Sequence, residues 1–120
     1  MSDQISKLPP QVQERLLRLQ QLQQTMQSIL AQKQQVEMEK TEVEQTLKEL
    51  KITAEDAVIY KTAGSLLIKA EKNKLTEELV ERQELLNTRS AVLAKQEERI
   101  RVQVKDAQTK LQADLKPVSL

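Results

Sequence analysis

Two stretches of the chain, residues 11–51 and 73–116, contain neither glycine nor proline, and the second is closed by Pro117. At 1.5 Å per residue each predicts a helix about 60 Å long. That exceeds the usual three to four turns of a globular helix and suits a coiled coil. Pro9 and Pro10 fit the start of the first helix, where a missing N–H costs nothing. Asn73 is the expected N-cap of the second, with Glu77 and Glu78 near its positive end.

The heptads can be read directly. In the first helix Leu19, Met26, Lys33, Lys40 and Leu47 fall at a, and Leu22, Ile29, Val36, Val43 and Leu50 at d. In the second, Leu79, Leu86, Leu93, Ile100 and Ala107 form the d series. Its a series, Gln83, Ser90, Glu97, Val104 and Leu111, is half polar. Antiparallel pairing sets a against d along both helices, matching Leu47 with Leu79, Val36 with Ser90 and Met26 with Ile100. Lys33 and Lys40 then face Leu93 and Leu86, their stems packing while their ammonium groups reach water. The phase slips only below Val12–Leu16. An intramolecular antiparallel hairpin follows, although heptads alone also permit a parallel homodimer.

Between the helices lies "VIYKTAGSLLIK", residues 58–69, holding the only glycine and the only aromatic residue of the chain. Gly64-Ser65 suits a type II′ turn, and β-formers flank it on both sides. Alternation predicts one face of Ile59, Ala63, Leu66, Ile68 and Ala70, interrupted by Lys61, and another of Val58, Tyr60 and Leu67 with Thr62 and Lys69. A lone two-stranded hairpin is marginal in water, and one coiled coil cannot cover two apolar sides. Val58, Ile59, Tyr60, Gly64, Leu66, Leu67 and Ile68 are therefore the candidate assembly residues. The expected fold is mainly α, a long antiparallel coiled-coil hairpin (10–51 and 73–116) with a β-hairpin at 57–70, forming one subunit over residues 1–120.

Composition narrows the function. Among 120 residues there is no His, Cys, Phe or Trp, so histidine triads, thiolate nucleophiles and Cys/His zinc sites are excluded. One glycine rules out a glycine-rich phosphate loop. Glu37, Glu39, Glu42 and Glu44 read as a solvated helix face, not a cation site. No catalytic residue, metal or cofactor is expected, and the chain is not read as an enzyme. With 19 basic and 18 acidic side chains the net charge is +1, which speaks against a nucleic-acid binder. No apolar run spans a membrane, "MSDQISKLPP" has no secretory core, and a cytoplasmic protein is expected.

The segments "LPPQVQ" at 8–13, "EDAVIYKTAGSLLIK" at 55–69, and "ERQELL" and "KQEERI" in the second helix give the chain a resemblance to the β-type subunits of archaeal prefoldin. The resemblance covers nearly the whole chain, and the central segment is its specific part. Ala63 departs from it, since members often carry a larger residue before the turn glycine. The resemblance implies a hexamer of two α-type and four β-type subunits, joined through β-barrels from which coiled coils hang. It also implies an ATP-independent holdase that captures unfolded proteins at the coil ends and delivers them to a group II chaperonin.

Ile5, Leu8, Val12, Leu16, Leu17, Leu111, Leu115, Val118 and Leu120 fall near the ends of the helices, and residues 19–32 carry no charge. Leu19, Leu22 and Leu111 read as residues that close the coil. Leu8, Val12, Leu16 and Leu115, at or beyond the phase slip, are the candidate client contacts, since exposed apolar patches mark interaction sites. A coiled-coil scaffold or tether, with fully paired ends and no chaperone activity, is the alternative.

Overall fold

The computed structural model describes residues 7–115. In chain order it contains α1 (Pro10–Ile52), β1 (Ile59–Ala63), β2 (Leu66–Ala70) and α2 (Lys72–Leu115). Pro10 opens α1, and the Pro9 carbonyl accepts the first helical bond from the Gln13 N–H at 3.1 Å. α2 begins one residue before the expected cap. The Glu71 carbonyl accepts from the Leu75 N–H at 2.9 Å, so Glu71 holds the cap position and Asn73 lies within the first turn. No glycine closes α1. Instead Lys72 Nζ, at the head of α2, donates to the Thr53 carbonyl at 2.8 Å and lies 3.4 Å from Glu55, a cationic cap on the negative helix end.

The chain forms two units, each taking a segment of both helices: a terminal unit of residues 7–33 and 93–115, and a hairpin unit of residues 34–92. In the terminal unit Val12, Leu22, Ile29 and Leu93 are buried. In the hairpin unit the buried set is Val36, Val43, Leu50 and Leu86. Leu22, Ile29, Val36, Val43 and Leu50 recur every seven residues, and the remaining heptad a and d positions are half-buried. Intrachain ion pairs tie the helices in each unit: Arg15 to Asp114 and Lys33 to Glu97 in the first, Glu39 to Arg82 in the second. These partners are separated by the loop-crossing span of an antiparallel hairpin, so each chain closes its own seam.

β1 and β2 form a two-stranded antiparallel sheet, pairing Ile59 with Ala70, Lys61 with Ile68 and Ala63 with Leu66. Gly64 has φ +62°, and no other described residue has a positive φ. A type I′ turn needs positive φ at both central residues, so Gly64-Ser65 is type II′.

Candidate functional site

The pleat sorts the hairpin side chains into two sets. Ile59, Lys61, Ala63, Leu66, Ile68 and Ala70 share one face, and Tyr60, Thr62, Leu67 and Lys69 the other. The first face turns toward the start of α2. A shallow cavity there is lined by Lys61, Ile68 and Ala70 from the hairpin and by Leu75 and Glu78 from the helix. Lys61, which interrupts the apolar alternation, pairs with Glu78 at 3.2 Å. Its place in an otherwise apolar face is thus explained by a partner on α2.

That contact covers little. Val58, Tyr60, Leu66 and Ile68 remain exposed and Leu67 is 69% exposed; Ile59 is half-buried. Burying a Val, Leu or Ile side chain is worth about 1.5–3 kcal/mol, so four such residues and a tyrosine left in water represent a large unused driving force. The only aromatic ring of the chain, Tyr60, is among them.

The four candidate client contacts do not form one surface of equal access. Leu8 and Leu16 are half-buried, Leu115 is exposed, and Val12 is 3% exposed. Val12 lies seven residues before Leu19, in phase with the a series, and the helix keeps that phase to its first turn. The slip expected from the sequence is therefore absent at Val12, which belongs to the core of the terminal unit. Leu17, at 56% exposure, is the accessible apolar residue beside it. Ile5, Val118 and Leu120 of the expected cluster, and Lys116 at the expected end of the second helix, lie outside the described residues.

The terminal unit also holds a polar cluster that heptad reading alone did not find. Lys33 Nζ donates to both carboxylate oxygens of Glu97 at 3.1 and 2.9 Å, and Arg101 lies 3.5 Å from the same carboxylate. The Lys33 hydrogen bond, aided by the charges of Lys33 and Arg101, holds the Glu97 carboxyl below the ordinary value of 4.5, against the opposing effect of burial. Lys33 was expected to end in water, but its ammonium reaches one turn past Leu93 to Glu97. The signal was present: Lys33 and Glu97 are opposite charges at a positions on the two strands of the coil.

Among the described residues no helix is long and apolar enough to cross a membrane. The family model described as prefoldin subunit matches residues 13–117. A prefoldin subunit beta from Methanothrix thermoacetophila is 46% identical over 109 residues, 91% of each chain. Another from Pyrococcus furiosus is 40% identical over 113 residues, 94% of this chain and 97% of its own. The crystal structure of the prefoldin beta subunit from Thermococcus strain KS-1 superposes with a TM-score of 0.81 at 39% identity, covering 92% of this chain and 97% of that one.

Proposed function

The chain belongs to the prefoldin subunit family, and from that premise we propose that it is a β-type subunit of an ATP-independent holdase chaperone. In this reading Val58, Ile59, Tyr60, Gly64, Leu66, Leu67 and Ile68 build the intersubunit barrel with α-type partners, two α to four β. Apolar residues of the terminal unit hold unfolded proteins until a group II chaperonin takes them, in the cytoplasm. The observation that carries the proposal is the two-stranded hairpin left apolar and exposed on both faces, since such a hairpin needs further strands to be stable. The client surface is Leu8, Leu16 and Leu115 of the original candidates, with Leu17 joining them and Val12 supporting from within.

The buried Val12 is also what a tether with fully paired ends would have, so the two readings need separating. The chain, alone and mixed with an archaeal α-type prefoldin subunit, is assayed for assembly mass and for suppression of aggregation of a denatured protein without nucleotide. A hexamer that suppresses aggregation is expected. A hexamer that leaves aggregation unchanged would establish the tether instead, and no change in mass on mixing would overturn the assembly reading.

A further inference from the structure

The chain's net charge of +1 hides a segregation. Residues 1–33 and 93–120 carry ten basic and six acidic side chains, whereas residues 34–92 carry nine basic and twelve acidic. The terminal unit is thus +4 and the hairpin unit −3. Within the terminal unit three of the five described anions are committed: Glu97 to Lys33 and Arg101, Asp106 to Lys110 at 3.1 Å, and Asp114 to Arg15. Lys95, Arg99 and Lys105 are exposed, and their cationic groups enter no ion pair or hydrogen bond among the described residues.

These three cations surround an apolar side chain. Val102 sits two positions past the seam residue Ile100 and is 58% exposed. Arg99 and Lys105 are three residues away on either side, neighbours on the same helix face, and Lys95 lies two turns earlier on that face. Glu98 and Asp106 also border Val102, but Asp106 is held by Lys110. The stripe therefore offers one apolar contact within a net positive field.

We infer that this face of α2 takes acidic non-native segments, with Val102 against an apolar residue of the segment and Lys95, Arg99 and Lys105 against its carboxylates. The inference rests on the chaperone reading above and names the kind of chain that reading takes. A nucleic acid fits less well. Single strands are held by stacking on aromatic side chains, and the chain's only aromatic residue lies in the hairpin unit. The cations act mainly on encounter, because rim charges change association rate and salt dependence more than residence.

The test uses the full-length chain assembled with its α-type partner and two unstructured fluorescent peptides. Both carry the same apolar residues, one with Glu and the other with Lys at its polar positions. Stopped-flow capture of the Glu peptide should be faster at low salt by about tenfold or more, within the range for electrostatic steering, and the advantage should vanish at high salt. Replacing Lys95→Gln, Arg99→Gln and Lys105→Gln together should remove it while leaving capture of the Lys peptide no slower. Val102→Ser should shorten the residence of both peptides and leave the salt dependence unchanged.

Equal capture rates for the two peptides, or a triple variant that still favours the Glu peptide, would overturn the inference and leave the chaperone reading standing. Failure to capture either peptide would sink both. An oligonucleotide that binds this stripe more tightly than the Glu peptide would reassign it to nucleic acid. Self-association at low salt that the triple variant abolishes would reassign it to a second copy of the chain.

Discussion

The terminal and hairpin units are cut from the same two helices and the same heptads, yet they spend their charge differently. In the terminal unit, Arg15 with Asp114 and Lys33 with Glu97 place ion pairs at heptad a and d positions. In the hairpin unit the buried seam is Val36, Val43, Leu50 and Leu86; the interhelix ion pair there, Glu39 with Arg82, flanks it, and the a position of Ser90 holds only a neutral hydroxyl bonded to Glu37. An apolar seam stabilises more per residue, but it tolerates a slipped register if the slip restores apolar contact. A charge pair at a seam position does not, because a slip leaves each ion half-buried without its partner. The unit that holds the start of α1 and the end of α2 carries the register marks. The unit closed by a turn has its register set by Gly64-Ser65.

The sharpest way to break this comparison acts on the hairpin. Leu66 and Leu67 point to opposite faces and are both exposed, so neither contributes much to the fold of one chain. Leu66→Asp with Leu67→Asp would bury two unpaired charges in any interface formed there, at several kcal/mol each by the cost of uncompensated buried ions. Sedimentation of the chain mixed with an α-type partner should show loss of the assembly, with helicity by circular dichroism unchanged. Retention of the assembly would mean the hairpin is not the interface.

A smaller effect is expected from the seams. Leu86 is among the most buried side chains of the molecule, and Leu86→Ala should destabilise by about 2–5 kcal/mol, the range for large-to-small core substitutions. Val12→Ala removes less volume and should cost about 1–2 kcal/mol on the same scale. Thermal melts of the two variants measure both. If Val12→Ala leaves the melt unchanged but weakens client capture, Val12 is a client contact after all and the terminal core is smaller than described.

These expectations rest on how much of the molecule was legible beforehand. The helices, the seven-residue burial of Leu22 through Leu50 and the II′ turn were legible because each depends on local pattern: a glycine-free run, a heptad, one glycine among β-formers. The sorting of the hairpin into two faces followed from alternation alone. What escaped depended on pairs of side chains distant in sequence. Lys61 looked like a flaw in an apolar face until Glu78 came within reach of it. Lys33 looked like a snorkelling lysine until Glu97 was placed one turn beyond its expected partner. Val12 reads from the sequence as a residue outside good register, whereas the folded chain buries it at 3% exposure.

The finest test concerns the register marks themselves. Glu97 has its carboxyl held below its ordinary value by Lys33, so its ionised form is favoured in the folded state. A carboxylate lowered on folding stabilises above its unfolded value, and that contribution is lost as pH falls through the folded one. Glu97→Gln should therefore lower the melting temperature at neutral pH, with the gap to the unaltered chain closing as pH drops below 4.5. Replacing both members together, Lys33→Leu with Glu97→Leu, should restore or raise the melting temperature, because an apolar pair at a seam is often as stable as a buried ion pair. The register should then loosen. With cysteines introduced at positions 26 and 100, the double-Leu chain should form the intrachain disulfide less selectively than the chain with its ion pair intact. If the double-Leu chain closes that disulfide as cleanly as before, the ion pair adds nothing to register, and the difference between the two units is one of composition only.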